Sequence, residues 1–207
     1  MKRFAAALSV ALLLGGCQST MTADVTQFTT AAPLPMGRTF AVAAEPAQSG
    51  SLEFQHYAGL VGGALQDHGF KSAAPGASAD LMVVIHYASE GNHTEIWGDP
   101  AWGGWGGWGW RHHGPYPYGP ESKTYYAQML EVQIFDGAAW RNNVHTMLYQ
   151  GRAVGDTTVN EISAAVPALV QALFTHFPGN SGQTERVEVP ITPPAAAPAP
   201  AKTAGTI

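Results

Sequence analysis

Ala79 to Tyr87 is apolar on both of its alternating faces, and no other stretch restricts the fold of this chain so strongly. A strand that is apolar on both sides belongs inside a sheet. Upstream, Thr39-Phe40-Ala41-Val42-Ala43 also reads as a strand, with Pro33 and Pro35 before it and Pro46 after it as breakers. Between the two strands, Ser51 to His68 reads as a helix. Phe54, Tyr57, Ala58, Val61, Ala64, Leu65 and His68 recur at three- and four-residue steps, as one buried stripe does. Ser51 supplies an N-cap and Gly69 stops the helix just past its end. Gly62-Gly63 weakens its middle by about 1 kcal/mol per glycine relative to alanine. Either the sheet comes close there, or the helix is marginal. A strand, a helix of this length and a second strand predict a right-handed crossover with parallel strands.

The remaining segments add to that unit. Tyr125 to Phe135 reads as a third strand with Leu130, Val132 and Ile134 on one face, Asp136-Gly137 opens a turn, and Val144 to Val154 returns as a fourth. Thr158-Val159-Asn160-Glu161 fits a capping box ahead of a helix ending at Phe177-Pro178. Pro167 within it either kinks the helix or marks its true first turn. Asp24 to Phe28 and Glu185 to Ile191 read as short edge strands. The expected fold class is α+β, a two-layer sandwich of a mixed, mostly antiparallel sheet with two helices packed on one face. This single domain spans residues 24–191 and contains a Gly/Trp-rich insert at 91–122. Residues 192–207 are dominated by Pro and Ala, too poor in large apolar groups to offset chain entropy, and are expected to be disordered.

The N-terminus speaks to location. Lys2 and Arg3 precede an apolar run, Phe4 to Leu14, of about 11 residues, too short to span a bilayer as a helix. It reads as a signal-peptide h-region. Leu14-Gly15-Gly16-Cys17 then resembles the lipobox of bacterial lipoproteins. That resemblance implies residues 1–16 as signal peptide, diacylglycerol on Cys17, acylation of the new amine by a palmitate-type chain, and 17–23 as a tether. Two or three acyl chains anchor far more firmly than one. Cys17 is also the only cysteine, and lipidation accounts for a thiol that has no disulfide partner in this chain. Gln18 stands where an Asp would resemble an inner-membrane retention signal, which points to the outer membrane, facing the periplasm. Without Lys2 and Arg3, 8 basic residues stand against 15 acidic ones, a formal charge of −7. That balance disfavours nucleic acid as a partner.

Taken together, the lipobox, the helix ending Leu65-Gln66-Asp67-His68-Gly69-Phe70, the segment Ala79-Asp80-Leu81-Met82-Val83, a Gly/aromatic insert, a hairpin and a helix ending Phe177-Pro178 resemble a family. The match is to the bacterial envelope lipoproteins collected as domain of unknown function 4136, over roughly residues 24 to 178. The shared motifs are structural, so the resemblance implies a fold and an address and carries over no catalytic residue. The aromatic-rich stretch usual before the helix is thin here, with Phe40 nearly alone.

The most distinctive candidate site runs from Trp97 to Tyr118. Trp102, Trp105, Trp108 and Trp110 are spaced by glycines, Arg111-His112-His113 follow, and Tyr116 and Tyr118 continue the aromatic theme. Trp and Tyr suit sugar faces, partner pockets and the lipid headgroup zone. The alternative is a solvated low-complexity insertion, since loops this long are either functional or disordered. His93, Glu95, Asp99, His112 and His113 carry metal-binding chemistry but lack the fixed spacing of a structural site, so no metal and no cofactor is expected. His86 lies on the central strand with Met82 and Val84, and His145 shares a face with Met147 and Tyr149, which suits satisfied core histidines better than catalytic bases. Asp67, Asp80, Asp136 and Asp156 sit at element ends, where caps and turns explain them. There is no G-x-S-x-G elbow and no Gly-rich phosphate loop. The expectation is a non-enzymatic lipoprotein, membrane-bound through its N-terminal lipid, that binds or scaffolds an envelope protein or glycan. The alternative is a cell-wall or carbohydrate-acting hydrolase that uses the aromatic loop as its binding surface.

Overall fold

The structure is a computed structural model that describes residues 20–30, 34–46, 48–97 and 121–191. Within them the chain is α+β, with a seven-stranded mixed sheet, three α-helices and one 3-10 turn. The strands are β1 (Thr20–Thr29), β2 (Thr39–Ala43), β3 (Lys71–Ser72), β4 (Leu81–Trp97), β5 (Glu121–Asp136), β6 (Met147–Thr157) and β7 (Gln183–Pro190). The helices are α1 (Leu52–Asp67), α2 (Gly137–Arg141) and α3 (Val166–Thr175). Across the sheet the order is β3-β2-β4-β5-β6-β1-β7.

The predicted crossover forms: β2 pairs parallel with β4, Phe40 opposite Leu81 and Ala43 opposite Val84. Its start is fastened by Asp80, whose Oδ2 accepts from the Thr39 backbone N at 3.0 Å and from Thr39 Oγ1 at 2.8 Å. These bonds hold the Asp80 carboxyl below its usual range. Ser51 Oγ accepts from Phe54 N and caps α1, while Gly69, at φ +87°, takes the left-handed turn that ends it. Phe54, Tyr57, Val61 and Leu65 are the buried stripe. The glycine pair divides: a Cβ on Gly62 would lie 3.6 Å from the Phe40 ring, whereas Gly63 faces open space. At Gly62 the sheet comes only within ordinary van der Waals contact of an added Cβ, so neither glycine is required by a close approach.

Four expectations need correction. Asp24 to Phe28 is not an edge strand. β1 starts four residues earlier, at Thr20, and runs antiparallel to both β6 and β7, with Ala23 opposite Gly155 and Val187. The edge belongs to β7, where Glu185, Arg186 and Glu188 discourage pairing with other chains. The fourth strand begins at Met147, because α2 and the loop after it fill the hairpin connection. Asp136 Oδ1 caps α2 by accepting from Ala139 N at 2.7 Å. His145 therefore lies before the strand, exposed, with its ring 4.5 Å from that of Trp140. The capping box at Thr158 does not form, since Thr157 Oγ1 donates to Val159 O and the chain takes a 3-10 turn at Ile162–Ala164. α3 starts at Val166 with Pro167 in its first turn, where a missing N–H costs nothing.

α3 is buried almost all round, through Val166, Ala168, Leu169, Val170, Ala172, Leu173 and Phe174. It touches α1 and strands β1, β5, β6 and β7. One hydrophobic cluster joins it to Leu81, Val83 and Ile85 of β4, Leu130, Val132 and Ile134 of β5, and Met21, Ala23 and Val25 of β1. Each buried Leu, Ile or Val contributes about 1.5–3 kcal/mol. The intervening strand residues are mixed: Val84 and Phe135 are buried on the other face, and polar groups lie beside them. Glu131 accepts from Gln133 Nε2 and from Gln150 Nε2, and His86 Nδ1 lies 3.6 Å from Glu45, half-buried and outside the core cluster.

Candidate functional site: a ribbon at one end of the sheet

β4 and β5 are much longer than the 79–87 and 125–135 strands expected, and the excess lies at one end. β2 leaves β4 after Val84, and β6 leaves β5 at Tyr126. Beyond those points β4 and β5 pair only with each other, through His93↔Tyr125, Glu95↔Lys123 and Trp97↔Glu121. The outer residues form a two-stranded ribbon reaching past the rest of the sheet. From His93 to Trp97 it extends about 13 Å at the ordinary strand rise.

Local chemistry explains why the ribbon holds without a core. Thr94, Ile96, Thr124, Tyr125 and Tyr126 are β-branched or aromatic, the residue types that favour a pleated backbone. Cross-strand pairs then act one by one. The rings of His93 and Tyr125 stack with centroids 5.3 Å apart, and Thr94 Oγ1 meets Thr124 Oγ1 at 3.0 Å. Lys123 opposes Glu95 in register and places Nζ 5.3 Å from the Tyr125 ring centre. Such pairs contribute roughly 0.2–1 kcal/mol each.

The root is marked by a β-bulge. The register slips between Ser89 and Gly91, leaving Glu90 unpaired in the ladder. Gly91 takes φ +133°, a conformation that side chains rarely adopt. Glu90 turns to Arg152 of β6, whose Nη2 donates to both carboxylate oxygens at 2.5 and 2.6 Å. On the core side, the buried Gln128 donates through Nε2 to Asn160 O at 3.2 Å and fixes the loop before α3.

Between this root and β1 lies a mainly polar hollow of about 450 Å³, lined in part by Thr20, Thr22, Asp24, Tyr125, Asp156 and Arg186. Arg186 Nε donates to Asp24 Oδ1 at 2.9 Å, and this bond holds the Asp24 carboxyl below its usual range and raises the arginine. Two further concavities are more apolar. One of about 430 Å³ lies between Phe40, Gly62, Gly63 and residues 72–77, and one of about 500 Å³ follows the seam of α1 and α3.

Of the expected site residues, His93 and Glu95 are in the ribbon and Trp97 is its last described residue on β4. Trp102, Trp105, Trp108, Trp110, Tyr116 and Tyr118 lie outside the described residues, as do Asp99, His112, His113 and the lipidation site Cys17. Among the described residues no three His, Cys, Asp or Glu side chains gather as a metal site, and no helix is long and apolar enough to cross a membrane. Sequence reasoning missed the ribbon itself, with Thr94, Lys123, Thr124 and Tyr125. Its signal was the β-branched and aromatic residues on both sides of the Gly/Trp stretch.

Among solved structures, the fold is similar to that of a PDZ domain protein from Parabacteroides distasonis ATCC 8503, at 9% identity and a TM-score of 0.48, over 84% of this chain. The chain spans 40% of the length of that protein. It is also similar to PelC from Paraburkholderia phytofirmans, a dodecamer, at 10% identity and a TM-score of 0.38, over 74% of this chain and 95% of that one. At these levels nothing of either protein's function transfers. No curated protein matches. The model of the family described as Domain of unknown function (DUF4136) matches residues 24–179, three quarters of the sequence, and the chain belongs to that family.

Proposed function

We propose that this chain is a lipid-anchored lipoprotein of the outer membrane, facing the periplasm, that binds an envelope protein or glycan and does no chemistry on it. The lipobox ending at Cys17 supports the address. The ribbon supports the activity, and it is the observation that carries the reading. It holds the two ends of the Trp-rich stretch, Trp97 and Glu121, opposite one another in register, beyond the body of the sheet. A sequence with four tryptophans between glycines, joined at both its ends to such a ribbon, is suited to contact. We also read the body as a two-layer sandwich with α1 and α3 on one face, because α3 touches both α1 and four of the strands.

The test is photo-crosslinking in intact cells from a probe at Ser122. A discrete adduct is expected, lost when Trp102, Trp105, Trp108 and Trp110 are all changed to Ala and retained in His93→Ala. Adducts that persist in the four-fold variant would overturn the reading. If Glu95→Gln abolished turnover of peptidoglycan while leaving the adduct intact, the hydrolase alternative would replace it.

A further inference from the structure

The strand register fixes which way the ribbon points relative to the N-terminus. Ala23, Gly155, Gln128 and Ser89 form one row across β1, β6, β5 and β4. β1 and β5 run in the same direction, so Thr20 at the start of β1 lies on the same side of that row as Glu121 at the start of β5. From Ala23 back to Cys17 is six residues, a reach of at most about 20 Å. From Gln128 back to Glu121 is seven residues of paired strand, about 24 Å. The anchor and the ribbon tip leave the same end of the sheet, and their reaches match.

We infer that the ribbon end of the sheet rests on the bilayer that holds Cys17, with the strands steeply inclined to the membrane and the β4–β5 ribbon at headgroup level. This rests on the lipidation of Cys17 proposed above. With a tether this short, the domain cannot turn its opposite end to the membrane: Val144 and α2 lie beyond the far ends of β4 and β5, with the body of the sheet between them and Thr20. The chemistry of the ribbon end agrees with a headgroup position rather than an acyl one. Ile96 is 68% exposed near the tip, Tyr125 is half-buried, and the hollow beside them is mainly polar. Aromatic residues with a polar end collect at this level of a bilayer. The surface this end meets is the phospholipid headgroup layer, and the envelope protein or glycan proposed above is met at that level. Net acidity gives the contact no attraction to anionic lipid, so salt does not weaken it.

The experiment uses the full lipidated chain in vesicles of phosphatidylethanolamine and phosphatidylglycerol carrying spin-labelled headgroups. Cys17 is blocked by its thioether, so a bimane dye can be placed on Ile96→Cys, on Lys123→Cys and, as the far-end control, on Val144→Cys. Val144 is 55% exposed, comparable with Ile96, so the sites differ in position and little in accessibility. Several-fold stronger quenching at both ribbon sites than at Val144, not weakened at high salt, is expected. Equal quenching at all three sites, or stronger quenching at Val144, in protein that floats with the vesicles would overturn the inference and leave lipidation standing. Protein that does not float would overturn lipidation, and the inference with it.

Discussion

The two halves of the β4–β5 hairpin share strands, ladder and hand, yet they are held by different forces. In the inner half, Leu81, Val83, Ile85, Leu130, Val132 and Ile134 are all at most 1% exposed and face the core cluster. In the outer half, residues 91–96 are exposed, and ring stacking, a hydroxyl pair and a lysine over a tyrosine ring support the ladder. One half derives its stability from the whole domain, the other from its neighbours across the strand. A segment of the second kind is free to keep its surface for a partner, because the fold does not use it.

The largest effect that tests this division is in the core half. Ile134→Ala is expected to cost about 2–5 kcal/mol in chemical denaturation, from lost burial plus the cavity left behind. Ile96→Ala, the same deletion in the ribbon, should stay within about 0.5 kcal/mol. Similar losses at both sites would erase the distinction. Next in size is Gly91→Val at the bulge, which forces a branched side chain into φ +133° at roughly 1–3 kcal/mol. Hydrogen exchange should show that loss in residues 92–96, with Ile85 and Val132 unaffected.

How much of this was legible in the sequence follows the same division. The β2-α1-β4 crossover was readable because each signal is local: the stripe of Phe54, Tyr57, Val61 and Leu65, the Ser51 cap and the Gly69 stop. The position of β1 was not, because its partners Val187 and Gly155 lie more than a hundred residues away, and no periodicity within Thr20–Thr29 reports them. The capping box misled because Thr157 satisfies Val159 O locally, and Gln128, distant in sequence, pins Asn160. The ribbon was hidden for a further reason. Alternation marks a strand only when one face is buried, and residues 91–96 are exposed on both. In the candidate site the insert's aromatic composition was visible, whereas the direction of the strands that flank it is a property of sheet register alone.

Smaller effects sharpen the comparison. Thr94→Ala should cost about 0.2–1 kcal/mol, confined to ribbon exchange rates, by removing the Thr124 bond. At the same end of the sheet, Asp24→Asn removes a carboxyl whose folded pKa lies below its unfolded one. Its contribution is present above the unfolded pKa and is lost as pH falls through the folded value. Since the Asp24 and Arg186 side chains are 49% and 73% exposed, this amounts to about 0–1 kcal/mol, read as a slightly flatter acid limb in a pH series of melting temperatures.

The most direct measurement is hydrogen exchange on the lipidated chain, in detergent-free vesicles and as the unanchored Cys17→Ser protein in solution. Amides of residues 91–96 and 121–125 should slow markedly on vesicles, while those of Ile85, Leu130 and Val132, already protected by the core, should not change. Equal exchange of the ribbon in the two states, or slowing confined to α2 and residues 142–146, would contradict the claim that the ribbon end is the face this protein turns to its membrane.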